Sequence, residues 1–115
     1  DIDIVTFEDG LSAYQALTKI CSMEGEDYDQ YFPSLIILDL NIPIWDGKKI
    51  LSELKKDPRL KKIPVVIYTT SKSEYDVSEC YTLGANSFVS KEPEYSRLQT
   101  QIKNIFNYWF NIVTL

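Results

Sequence analysis

Apolar residues fall into two patterns along this chain: short unbroken runs, and longer stretches in which they recur every three or four positions. Leu35-Ile36-Ile37-Leu38 and Val65-Val66-Ile67-Tyr68 are unbroken, and Pro33 and Pro64 lead into them. Runs of this kind mark strands covered on both faces of a parallel sheet. Residues 2–7 and 86–90 read as two further short strands. Helical spacing fills the intervals. Leu11, Tyr14, Leu17 and Cys21 recur after Gly10, up to the polar stretch 24–30; Ile50, Leu51 and Leu54 follow from about Lys48, up to the breaker Asp57-Pro58. A polar turn through Ser71 and Ser73 leads to a helix over 77–83, capped by Gly84, and a last helix runs from 94 to about 113.

Strands alternating with helices at this interval imply βαβ units, hence a parallel sheet with helices on both faces. No linker, repeat or low-complexity tract divides the chain, so residues 1–115 read as one domain. At 115 residues it can bury a core without a metal or disulfide staple. Cys21 and Cys80 lack CxxC spacing and histidine is absent, which argues against zinc and haem and for two reduced, buried thiols. The net charge of -5 argues against nucleic acid as a partner, because the phosphate backbone calls for a basic face. No apolar run reaches the roughly 20 residues that a membrane-spanning helix needs. No secretory leader pattern opens the chain either, so the expected location is cytoplasmic.

In open α/β sheets the functional crevice lies at the carboxyl ends of the strands. Asp39, Thr69 and Lys91 stand there, one after each of three apolar runs. Singly, each has a plain structural explanation: a turn former, a strand-end hydroxyl bonded to backbone, a solvated ammonium. Together they offer a nucleophilic carboxylate, a hydrogen-bond donor and a countercharge for a phosphoryl group.

The blocks LIILDLNIPIWDG, PVVIYTTS and ANSFVSK resemble the three signature blocks of the response-regulator receiver family. Asp39 precedes Thr69 by 30 positions and Thr69 precedes Lys91 by 22, intervals similar to the family's, and the resemblance covers essentially the whole chain. Thr69-Thr70-Ser71 and the terminal YWFNIVTL are similar to single-domain regulators of the cyanobacterial phytochrome partner type. The resemblance implies a flavodoxin-like doubly wound parallel sheet of strand order 2-1-3-4-5. It implies a phosphoacceptor at Asp39, a metal-binding backbone carbonyl at Asn41, a switch hydroxyl at Thr69, an aromatic switch at Phe88 and the family lysine at Lys91. Pro43 and Gly47 match the loop that shapes the acceptor's surroundings. The implied cofactor is Mg²⁺, and the implied partner is a sensor histidine kinase or phosphotransfer protein. Signalling would pass through the face made by the last two helices and the last strand.

Two departures matter. The family's first strand ends in an acidic pair that helps to hold Mg²⁺, and by spacing that strand and its helix fall before Asp1. The expectation is therefore a receiver lacking its first strand and helix, with a weak or absent metal site. Lys91-Glu92-Pro93 also carries one residue more than the family's Lys-Pro, so the family's loop geometry is not carried over to it.

Two other readings compete with the switch. A phosphorylation-independent pseudoreceiver scaffold would also lack the acidic pair. A haloacid-dehalogenase-like phosphatase would show DxDx[TV], and Asp39-Leu40-Asn41 lacks its second carboxylate. Finally, at 100° per residue Leu98, Ile102, Ile105, Trp109 and Ile112 form one stripe of the last helix, suited to covering the sheet. Phe106, Phe110 and Val113 form a second row and Tyr108 lies on the opposite flank, more apolar surface than one sheet face buries. A homodimer through this helix is the expectation.

Overall fold

The computed structural model describes residues 4–23 and 32–114. Its elements are α1 (Gly10–Cys21), β1 (Ile36–Leu38), α2 (Gly47–Lys56), β2 (Val65–Thr69), α3 (Glu74–Thr82), β3 (Ser87–Ser90) and α4 (Tyr95–Asn107), continued by a π-helical turn over Tyr108–Ile112. The strands form a parallel sheet in the order β1-β2-β3, with Leu38 beside Ile67 and Ile67 beside Phe88. This register brings all three carboxyl ends to one edge.

Helix ends follow the local chemistry. Asp9, Asp46 and Ser73 cap α1, α2 and α3, each accepting a backbone N–H in the first turn. Gly84 follows α3 at φ 109°, a left-handed position that glycine takes without a Cβ penalty. Alternate residues of β2 then serve two cores. Val65 and Ile67 pack with Ile50, Leu51 and Leu54 of α2, Cys21 of α1 and Cys80 of α3. Val66 and Tyr68 pack against Ile105 of α4, with Leu98, Ile102, Phe106 and Trp109 at its margin. Three helices thus cover one face and α4 the other, the doubly wound arrangement expected. Both cysteines are free and buried.

The structure corrects three expectations. Residues 4–7 form no strand, and Ile4 and Val5 lie 65% and 77% exposed. A strand needs a hydrogen-bonded neighbour, and among the described residues β1, β2 and β3 pair only with one another; residues 2 and 3 lie outside the described residues. Ile37, expected to be covered, is 39% exposed, because α4 packs over β2 and β3 and leaves that face of β1 open among the described residues. Ile112, placed by 100° steps on the core stripe, is 63% exposed, while Phe106, placed outside it, packs on the core. Phe106 lies in the regular part of the helix beside Ile102, Ile105 and Trp109, so the core face is simply wider than the single stripe; for Ile112 the π turn is the cause. The Val113 N–H reaches the Tyr108 carbonyl at 3.0 Å, an i→i+5 bond that widens the turn and carries Ile112 off the stripe that Trp109 still follows. The stretch 24–30, expected to end α1, lies outside the described residues; α1 itself ends at Cys21.

Ile44 has φ 70° in the loop between β1 and α2. A left-handed conformation costs an L-residue about 1–2 kcal/mol, and branching at Cβ makes it a true outlier. Its side chain is 72% exposed and contributes little packing in return. Ile44→Gly is therefore expected to stabilise the fold by about 0.5–1 kcal/mol, the relief being partly offset by glycine's greater unfolded-state entropy. Urea denaturation of the two proteins checks this; equal midpoints would show that the loop relaxes without cost.

Candidate phosphoacceptor site

Asp39 leaves β1 one residue beyond Leu38, Thr69 ends β2, and Lys91 follows β3. The sheet thereby converges the three residues that the sequence singled out. Lys91 Nζ lies 2.8 Å from Asp39 Oδ2, and Asp39 Oδ1 accepts the Asn41 N–H at 3.1 Å. Thr69 is fully buried and its Oγ1 makes no hydrogen bond of good geometry, yet the hydroxyl lies near enough to Asp39 to help depress its pKa. A buried hydroxyl without a firm partner is costly and uncommon, and it is the group that an incoming anion would satisfy. Phe88 is half-buried against the core behind this edge, and its N–H donates to the Tyr81 hydroxyl at 3.0 Å.

The acceptor loop is held from below. The Gly47 N–H donates to the Leu40 carbonyl at 3.1 Å, and the Gly10 N–H to the Pro43 carbonyl at 3.3 Å. A Cβ on Gly47 would meet the Asp39 carbonyl and sit 2.7 Å from Leu40 Cα. Glycine is needed there because the start of α2 lies directly against the strand end that presents the carboxylate.

Several residues here carry no sequence signal. Lys48 Nζ bridges Asp76 at 2.7 Å and Glu79 at 3.1 Å, tying α2 to α3. Ser71 Oγ donates to Asp76 at 2.6 Å, and Ser90 Oγ donates to the Ser71 carbonyl at 2.9 Å. These bonds fix the loop that follows Thr69. The Gln101 carboxamide bonds Tyr68, Ser90 and Glu92, all beside the site.

Burial would raise the Asp39 pKa. The Lys91 ammonium, the Asn41 N–H and the Thr69 hydroxyl outweigh it and hold the carboxyl below its ordinary value. A depressed folded-state pKa contributes stability above the unfolded carboxylate range, and that contribution is lost as the pH falls through the folded value. Lys91→Met is thus expected to flatten the acid limb of stability as pH falls from about 5 to about 3. Denaturation across that window checks it; parallel acid limbs in the two proteins would contradict it.

Among the described residues, no group of three or more His, Cys, Asp or Glu side chains could hold a metal. The donors present are the Asp39 carboxylate and the backbone at Asn41. One carboxylate with carbonyl and water oxygens is the lower limit of what Mg²⁺ takes, so the fit is a weak one.

The profile of the response regulator receiver domain family matches residues 1–103, and this chain belongs to that family. It is a receiver domain of the two-component type. It is 38% identical to response regulator Rcp1 of Synechocystis sp., over 100% of this chain and 76% of Rcp1. It is also 38% identical to the probable methanogenesis regulatory protein FilR2 of Methanothrix harundinacea, over 67% of this chain and 50% of that protein. The fold matches the phosphorylated cyanobacterial phytochrome response regulator RcpA with a TM-score of 0.88 at 40% identity, covering 98% of this chain and 78% of that one. It matches the Mn²⁺-bound form of Rcp1 with a TM-score of 0.85 at 38% identity, covering 100% and 80%. The chain therefore spans half to four-fifths of the length of these three relatives.

Proposed function

We propose that Asp39 accepts a phosphoryl group from a phosphohistidine of a sensor histidine kinase or phosphotransfer protein. The observation that carries this is the convergence at one sheet edge of the Asp39 carboxylate, the Lys91 ammonium 2.8 Å away and the buried, underused Thr69 hydroxyl. An oxygen of Asp39 attacks phosphorus, the P–N bond breaks with its electron pair returning to the imidazole, and an acyl phosphate forms. Lys91 offsets the charge on the transferring group. Mg²⁺, held weakly by Asp39 and the Asn41 carbonyl, would supply further charge neutralisation at the phosphoryl oxygens. The phosphorylated form of RcpA and the Mn²⁺-bound form of Rcp1 support both parts by analogy.

In this reading the domain is a switch rather than an enzyme acting on other molecules. Thr69 turns its hydroxyl to the bound phosphoryl, and half-buried Phe88 moves further inward. The face of α3, β3 and α4 then changes toward a partner protein. The test is incubation with acetyl phosphate and Mg²⁺, read by intact mass. A single acid-labile phosphoryl adduct that Asp39→Asn abolishes is expected; label that survives the substitution would contradict the reading.

The rate of loss is expected to depend on Thr70. It is exposed beside Thr69, at a position where many receivers carry a smaller residue, and a larger side chain there would obstruct water attacking the acyl phosphate. Thr70→Ala is expected to hydrolyse the acyl phosphate faster, and an unchanged or slower rate would contradict this.

A homodimer through α4 and the π turn belongs to the same reading. Tyr108 is 47% and Ile112 63% exposed, beside half-exposed Phe110. Phe106 packs on the core, so the substitution that separates dimerisation from folding is Ile112→Glu. Light scattering should give twice the chain mass for the wild type and a lower mass for this variant. A wild type that stays monomeric at high micromolar concentration would contradict the dimer.

A further inference from the structure

The loop that carries Lys91 leaves the sheet at the point where its hydrogen-bond ladder ends. The Lys91 N–H makes the last bond to β2, donating to the Thr69 carbonyl at 2.7 Å. Beyond it the chain runs through Glu92-Pro93 to Glu94, which begins α4 without a side-chain cap. Proline offers no donor, so this stretch has little backbone bonding of its own. A lysine side chain carries considerable rotamer entropy, and its reach to Asp39 depends on how firmly its backbone is held.

One side chain from α4 supplies that hold. Gln101 Nε2 donates to the Ser90 carbonyl at 2.9 Å, and Gln101 Oε1 accepts the Glu92 N–H at 2.9 Å. The two backbone groups are those immediately before and after Lys91. Their identities fix the orientation of the carboxamide, since a carbonyl must face the amide nitrogen and an N–H the amide oxygen. The same Oε1 accepts the Tyr68 hydroxyl at 2.9 Å, and the Tyr68 ring lies 5.5 Å from Lys91 Nζ. Gln101 thus ties together the end of β2, both flanks of Lys91 and the first turns of α4.

We propose that Gln101 is the positioning residue for Lys91, its carboxamide clamping the backbone on both sides of the lysine and so holding the ammonium against Asp39. The clamp rests on geometry alone, and its consequence for phosphorylation rests on the phosphoacceptor reading above. The same contacts link Lys91 to α4, so a displacement of the lysine is felt at the helix without passing through Thr69 or Phe88.

The test uses Gln101→Met in the full chain, a near-isosteric change that removes the donor and the acceptor while keeping the volume. The rate of Asp39 phosphorylation by phosphoramidate is expected to fall about tenfold through kcat rather than KM, but less than about twofold when Lys91 is already Ala. In the crystal structure of Gln101→Met, Lys91 Nζ should lie beyond ion-pair distance of Asp39. Equal falls in both backgrounds would reveal general structural damage and overturn the proposal, as would an unchanged wild-type-background rate or an undisturbed Lys91–Asp39 pair. Should Gln101→Met not fold, Gln101→Ala removes the same two bonds without adding a charge, keeps a strong helix former in α4, and is read by the same criteria. A wild type that takes no phosphoryl group removes the phosphoacceptor reading; the Lys91–Asp39 separation in the variant then decides the clamp by itself.

Discussion

Gly47→Ala is expected to destabilise the domain by about 1–3 kcal/mol and to slow phosphoryl acceptance with it. Helix propensity alone favours the opposite sign, because alanine exceeds glycine inside a helix by about 1 kcal/mol. Packing decides the matter. The new methyl would meet the Asp39 carbonyl and the Leu40 Cα, both backbone atoms of the strand end, and neither can swing aside as a flexible side chain would. Relief requires α2 to retreat from β1, which opens the core where Ile50, Leu51 and Leu54 lie fully buried or nearly so. Urea denaturation reads the stability and acetyl-phosphate labelling reads the site. An alanine variant as stable as the wild type would mean that the acceptor loop is not pinned by this approach.

The second large effect belongs to Lys91. Replacing it by Met removes the ammonium 2.8 Å from Asp39 Oδ2 while keeping most of the stem. Removing one fixed group that stabilises developing charge typically costs about 10²–10³ in rate, and a loss of that order in phosphorylation by a small phosphodonor is expected here. The fold should survive, since Lys91 is only half-buried and belongs to neither core. A loss below about threefold would place the charge compensation elsewhere.

The convergence of Asp39, Thr69 and Lys91 was legible because sheet geometry and sequence pattern agree. Residues that follow buried parallel strands reach one edge whatever the intervening helices do, so Asp39, Thr69 and Lys91 could be found from three apolar runs. The supporting bonds were not legible. Gln101 reaches Ser90 and Glu92 across a turn of chain whose path no periodicity encodes, and Lys48 meets Asp76 and Glu79 only because α2 and α3 cover the same core. The π turn defeated the helical-wheel reading after Asn107 for a related reason. The wheel assumes a constant angular step, and one i→i+5 bond to the Tyr108 carbonyl changes it. Residues 4–7 show the opposite failure, in which strand-like composition is present but the pairing that makes a strand is not.

The central claim is that Asp39 carries the phosphoryl group. An acyl phosphate is reduced by borohydride to an alcohol, which converts a phosphorylated aspartate to homoserine, so the phosphorylated protein can be trapped, digested and sequenced by tandem mass spectrometry. Homoserine at position 39 and at no other aspartate is the result expected. Homoserine at another aspartate, or a phosphoryl group that resists both acid and borohydride on a serine or threonine, would contradict it.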